Sequence, residues 1–210
     1  LPLGPLNVLI GPNGAGKSNL IEAVSLLKSA PGTLASNVSD GGGIGDWLWK
    51  GERRPVASLE VIVENPSGKM PLRHVLAFTE TGQRFELVDE RIENEVAYQD
   101  QPQPYFYYHF ENNRPVLNVK GERRELRRED VDPEKSILAQ RKDPDQYPEI
   151  TYLGEQFERI RIYREWSFGR YTPPRQPQKA DQRNDFLEES CTNLGLILNR
   201  MQLHIELSLR

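Results

Sequence analysis

Leu6-Asn7-Val8-Leu9-Ile10 runs without a break into Gly11-Pro12-Asn13-Gly14-Ala15-Gly16-Lys17-Ser18. The first five residues form a short apolar, β-branched run, the pattern of a parallel strand buried on both faces. The next eight satisfy G-x-x-x-x-G-K-[ST], a phosphate-binding loop. After it Leu20, Val24 and Leu27 recur with Ile21 beside them, the buried stripe of an amphipathic helix that ends near Pro31-Gly32. Strand, glycine loop and helix thus follow one another in the order that a phosphate site requires.

Each residue type has a physical reason to be there. Gly11, Gly14 and Gly16 permit backbone geometry and a close approach that a Cβ would obstruct. The loop can then turn its N–H groups inward as an anion nest at the positive end of the helix. Lys17 supplies a charge for the β- and γ-phosphates, and the Ser18 hydroxyl is placed to ligate Mg²⁺. The competing reading is a glycine turn that opens a helix, with a lysine that is merely solvated.

From Ile10 to Asn19 the loop resembles that of ABC-type ATPases, and among them the SMC/RecF-like group. The pair Asn13-Gly14 and the continuation Asn19-Leu20-Ile21-Glu22-Ala23 carry the likeness. The segment Leu187–Arg200, with Asn193-Leu194-Gly195-Leu196-Ile197-Leu198-Asn199-Arg200, is similar to a stretch in bacterial ATPases of the same group. The resemblance implies an α/β P-loop NTPase, the first lobe of an ABC-type or SMC-like head, with an antiparallel β-meander subdomain. It implies ATP rather than GTP, with Mg²⁺, and hydrolysis in a head-to-head homodimer. Gly11, Pro12, Asn13, Gly14, Ala15, Gly16, Lys17, Ser18 and Asn19 would hold the cofactor, with Lys17 also catalytic and Ser18 on the metal. Ser136-Ile137-Leu138-Ala139-Gln140 resembles the Q-loop that joins the lobes of such heads. There Gln140 would approach Mg²⁺ and the attacking water; otherwise it is an ordinary exposed glutamine.

Composition narrows the field. The 210 residues carry 27 basic and 31 acidic side chains, a formal net charge of −4, so global charge favours neither nucleic acid nor anionic membrane. One cysteine, Cys191, excludes an internal disulfide and a cysteine-rich zinc site, and three scattered histidines argue against a His cluster. No apolar run approaches the roughly 18 residues that a membrane span needs. A cytoplasmic chain with no membrane partner is expected, and its opening on Leu1 rather than Met points to a fragment.

Four segments are expected: the strand–loop–helix with a glycine-rich loop at 1–55, an antiparallel β arm at 56–130, the Q-loop with a helix and strand at 131–170, and a Pro/Arg-rich loop with a helix at 171–210. Ser36–Gly45 reads as a surface loop rather than an ABC signature loop, which should lie far downstream. In the arm, Leu59, Val61 and Val63 share one face opposite Glu60 and Glu64. Strands follow around Arg73–Thr79 and Arg84–Val88, then a hairpin of Tyr105–Phe110 and Val116–Val119 across Asn112-Asn113-Arg114-Pro115. The aromatic run Tyr105–Phe110 is either a base-stacking platform or simply good strand sequence. Residues 157–183 hold seven basic and three acidic residues with Tyr163, Trp166, Phe168 and Tyr171 interspersed. They are a DNA-contact candidate or a solvated face. Tyr147, Ile150, Leu153 and Phe157 mark a helix, Arg159–Tyr163 alternates as a strand would, and Leu194, Ile197, Leu198 and Met201 mark the last helix.

A hydrolytic phosphate-loop protein also needs an acidic residue after an apolar strand to hold Mg²⁺. Phe85-Glu86-Leu87-Val88-Asp89-Glu90 is the nearest string, but Glu86 interrupts it and it falls inside the meander. By resemblance, the acidic motif belongs to a second lobe. The alternatives are a nucleotide-binding interaction module without turnover, and a P-loop phosphotransferase.

Overall fold

Among the described residues, six antiparallel strands form one sheet in meander order β1-β2-β3-β4-β5-β6. The structure is a computed structural model describing residues 1–111, 114–119, 121–164, 166, 169–179 and 181–208, with only the backbone described at 111, 128 and 205–208. The chain divides into two compact units, Leu1–Ile160 and Arg161–Arg210.

In the first unit, α1 (Lys17–Ser29), α2 (Leu34–Asp40) and the single turn α3 (Ile44–Trp47) precede the sheet. Its strands are β1 (Ala57–Val63), β2 (Leu72–Thr81), β3 (Arg84–Asn94), β4 (Phe106–Glu111), β5 (Arg114–Val119) and β6 (Glu122–Glu125). The short α4 (Ile137–Gln140) and then α5 (Pro148–Glu158) close the unit. Period-two burial is plain in β1, where Leu59, Val61 and Val63 are half-buried and Glu60 and Ile62 exposed. Between β2 and β3, Gly82 and Gln83 both adopt positive φ, 59° and 66°. A two-residue turn of that hand matches the twist of the strands it joins and pins Thr81 opposite Arg84.

Leu72, Leu76, Phe78, Phe85, Leu87, Ile92, Tyr108, Phe110 and Leu117 of the sheet pack with Leu26, Leu27, Leu34 and Val38 of the early helices. Ile137, Leu138, Ile150, Leu153 and Phe157 of α4 and α5 complete the core. Fully burying each of the larger side chains stabilises the fold by roughly 1.5–3 kcal/mol, so this layer holds the unit together. Pro148 at the first turn of α5 suits a position where an N–H has no intrahelical partner.

Several elements differ from expectation. Leu6–Ile10 forms no regular secondary structure and joins no sheet, and all five residues are exposed. Apolar sequence alone does not make a strand: its N–H and C=O groups need neighbours, and the six-strand meander offers this run none. Ser36–Asp40 is helical, because Leu34 and Val38 recur one turn apart and are buried; the loop shrinks to Gly41–Gly43. Arg159–Tyr163 is not a strand, since the chain leaves α5 there and the second unit begins. β3 runs six residues beyond Val88, and β6 is an unforeseen strand of four exposed charged residues. Of the expected turn, Asn112 and Asn113 lie outside the described residues, while Arg114 and Pro115 already belong to β5.

The second unit is built on α6 (Leu194–Ser208) and the loops before it. Asn193 organises them: its Nδ2 donates to the carbonyls of Arg183 and Phe186, and its Oδ1 accepts from the Glu188 N–H. Cys191 is buried in the left-handed region at φ 57°, and burial pushes its thiol pKa up. No described helix is long and apolar enough to cross a membrane.

Candidate functional site

The glycine loop is formed. Gly14 and Gly16 both adopt left-handed backbone, φ 80° and 84°, and Gly16 is the residue from which α1 starts. An L side chain at either position would be strained even though the space beside both is open. The Ala15 N–H closes a turn on the Pro12 carbonyl at 3.3 Å, and Leu20 makes the first helical bond back to Gly16. No side chain caps α1. The N–H groups of its first turn, which have no intrahelical acceptor, are therefore left for an external one.

Lys17 Nζ donates to the carbonyl oxygens of Gly11 and Pro12, both at 2.8 Å. The ammonium thus lies folded back across its own loop, half-buried, with two neutral acceptors as partners. An anion in the loop would offer it a charged acceptor instead, and charge-assisted bonds are roughly twice as strong as neutral ones. Ser18 is exposed in the first turn next to Lys17. The donor set fits a polyphosphate: glycine backbone, helix N-terminus, one ammonium. For Mg²⁺ the loop provides one hydroxyl, Ser18, and phosphate oxygens and water would supply the rest of the hard oxygen shell. Among the described residues no group of three or more His, Cys, Asp and Glu could hold a metal.

Leu6–Ile10 leads into this loop uncovered, with Val8 72% and Ile10 91% exposed. Asn7 folds locally, pairing with the Gly4 backbone through its Oδ1 and Nδ2. Pro12, Asn13 and Asn19 are likewise exposed.

Gln140 sits elsewhere. It ends α4, and its amide serves the loop just before that helix. Oε1 accepts from the Asp132 N–H at 2.9 Å, and Nε2 donates to the Lys135 carbonyl at 2.8 Å and, more weakly, to those of Asp132 and Ser136. The structure thus brings Lys17 together with Gly11 and Pro12 but engages Gln140 with 132–136. A sensor role for Gln140 would require this amide to be released.

A buried polar cluster beneath α4 was not apparent in the sequence. Glu90 of β3 is 1% exposed and accepts three hydrogen bonds. They come from Ser136 Oγ at 2.5 Å, from the Ile137 N–H at 2.9 Å and, across to β2, from His74 Nε2 at 3.1 Å. Ser136 also caps α4 by accepting from the Leu138 N–H. Glu90 belongs to the string Phe85–Glu90 that had been weighed as a metal-binding strand; here its carboxylate instead fastens α4 to the sheet. Alternation from Phe85 and Leu87 would turn Asp89 inward; the β2–β3 register shift, at which Val88 has no partner in β2, brings Glu90 to the core instead, so no local pattern marked it.

The basic, aromatic stretch 157–183 is partly engaged with its own unit. Arg161 and Arg183 both stack on Phe186, each 4.6 Å from the ring centre, and Tyr163 meets Trp166 edge-on while its hydroxyl donates to the Leu187 carbonyl. Tyr171 is exposed, and Phe168 lies outside the described residues. The Tyr105–Phe110 run is divided: Tyr108 and Phe110 are core residues, while Tyr105 and Tyr107 line a cleft.

Residues 6–86 match the family model described as "AAA domain, putative AbiEii toxin, Type IV TA system". The match covers the glycine loop, α1 to α3, β1, β2 and the start of β3, and it supports an AAA/P-loop ATPase-like domain in this part of the chain. No curated protein and no solved structure matches the chain.

Proposed function

We propose that the chain binds Mg·ATP at Gly11–Ser18 and serves as the first lobe of an SMC/RecF-like ATPase head, hydrolysing ATP between two heads in the intact protein. The observation that carries the reading is the loop itself: left-handed Gly14 and Gly16, an uncapped helix start, and an ammonium that donates to two neutral carbonyls. The family match over 6–86 supports the ATPase class. The uncovered Leu6–Ile10 run supports a sheet that is completed by further parallel strands.

In this reading Lys17 leaves the carbonyls of Gly11 and Pro12 for phosphate oxygens, and the first-turn N–H groups of α1 orient the phosphate chain. Ser18 presents its hydroxyl to the metal. Bound Mg²⁺ supplies charge neutralisation at the phosphate oxygens. Head pairing through the nucleotide, and DNA contact by 157–183 in repair or phage defence, are the further parts of the proposal.

ATP titration of the chain and of Lys17→Ala tests the site. The substitution should weaken ATP binding about tenfold to a hundredfold, the worth of one charged hydrogen-bonding partner. Unchanged affinity would remove Gly11–Ser18 as the nucleotide site. Phosphate release from the intact protein, measured with Mg²⁺ present, separates a hydrolysing head from a module that binds without turnover.

A further inference from the structure

A second concave site lies in the first unit, lined by β4, β5, the segment after β3 and the start of α5. It is a cleft of about 310 Å³ whose walls include four tyrosines, Tyr98, Tyr105, Tyr107 and Tyr147, with Asn118 and Glu149. The sheet builds it deliberately. The β3–β4 register shifts between Ile92 and Glu93, and the extra residue on β4 is Tyr107. Bulges of this kind re-aim a side chain. Here the Tyr107 hydroxyl is then fixed by donating to Asn94 Oδ1 at 2.9 Å, and its ring meets Tyr105 edge-on at 5.2 Å.

The chemistry of the walls has one sign. Tyrosine faces carry negative quadrupole charge. Among the described residues no lysine or arginine lines the cleft, and none pairs with the Glu149 carboxylate. Asn118 Oδ1 is a buried acceptor with no donor among the described residues. Burial and the charge of Glu149 push the Tyr107 pKa well up, so its phenol stays neutral beside that carboxylate. Glu149 stands in the first turn of α5, where it also complements the positive end of the helix, so the cleft offers an anion no free dipole. With one carboxylate the site falls short of the six or more oxygens that a hard metal cation takes. Aromatic faces with a single carboxylate suit a weakly hydrated cation instead.

We propose that this tyrosine-lined cleft binds an organic cation, a guanidinium or methylated ammonium group. Such a group could belong to a free small molecule or to a side chain of a peptide. The site is separate from the glycine loop and does not depend on the nucleotide reading.

Calorimetric titration of the intact chain tests it, with choline and acetyl-arginine amide as cations and dimethylbutanol as the uncharged carbon isostere of choline. Both cations should bind saturably with dissociation constants of about a millimolar or below, and the isostere about tenfold more weakly. Glu149→Gln should weaken the cations about fivefold to tenfold and leave the isostere unchanged. Tyr98→Ala, at an exposed rim position, gives a second variant that does not disturb the core. Lys17→Ala should leave cation binding intact even where it removes ATP binding, so the two sites fail separately. A peptide carrying arginine or trimethyl-lysine between neutral residues identifies the source: tighter binding than the free cation means a protein partner, and equal binding means a small molecule. Equal affinity for choline and its isostere, no saturable binding of either cation, tighter binding of adenosine, or indifference to Glu149→Gln would each overturn the proposal.

Discussion

Two apolar runs of this chain, Leu6–Ile10 and Leu72–Phe78, would both be read as strands, yet they end in opposite environments. The second lies between β1 and β3 with Leu72, Leu76 and Phe78 buried, whereas the first joins no sheet and is exposed. The difference lies in partners rather than composition. β2 has an antiparallel neighbour on each edge, β1 through the loop 64–71 and β3 through a two-residue turn, so its backbone groups are satisfied locally. The N-terminal run leads only into a glycine loop and a helix, and the meander presents no parallel edge to it. Stability is thus concentrated in the sheet and the helices on it, and the proposed phosphate site lies in a loop that this core hardly supports.

The most severe test of that division is Glu90→Ala. It leaves the buried His74 and the Ile137 N–H without their acceptor and unfastens α4 from β3. The expected cost is about 3 kcal/mol of unfolding free energy, read as a lower urea midpoint at unchanged slope. Ser136→Ala removes the cap and one of the three donors and should cost about 1 kcal/mol. If neither substitution moved the midpoint by more than about 0.5 kcal/mol, the cluster would not be what holds α4 in place.

How much of this was legible depended on how local the signal was. The glycine loop and the helix it opens could be read because the pattern falls within eight residues, Gly11 to Ser18. The meander could be read because Leu59, Val61 and Val63, alternating with Glu60 and Glu64, are a local period-two signal. The Glu90 cluster could not, because its partners are 16 and 46 residues away and no short pattern links His74, Glu90 and Ser136. The tyrosine cleft was hidden for a related reason. Its bulge depends on β3–β4 register, and Tyr147 and Glu149 arrive from another element. The exposure of Leu6–Ile10 was illegible because an apolar run states what it would bury against a neighbour, not whether one is present.

A middle-sized effect tests the loop. Gly16→Ala places a Cβ at φ 84°, where there is room for it but the backbone is strained by about 1–2 kcal/mol. Because the loop is exposed, it can relax, so thermal stability should fall by less than that strain. ATP affinity should fall more clearly, since relaxation destroys the nest. Loss of stability as large as that for Glu90→Ala would show that the loop is coupled to the core after all. Unchanged ATP affinity would show that the left-handed glycine is not needed for phosphate binding.

The smallest expected effect is the sharpest test of the contrast. Val8→Asp puts a charge in the middle of the apolar run, and in a buried strand that would be ruinous, since an unpaired buried carboxylate costs several kcal/mol. At a site already 72% exposed the change should lie within about 0.5 kcal/mol, the range for surface substitutions. Amide exchange of residues 6–10 should accordingly be fast in the chain alone, as expected of backbone outside any sheet. A large drop in the urea midpoint, or slow exchange at 6–10, would mean that the run is packed in solution and that the two regions do not differ as described. If the chain tolerates Val8→Asp while assembly with parallel partner strands does not, the run is a strand whose burial depends on those partners. The proposed head architecture requires that outcome.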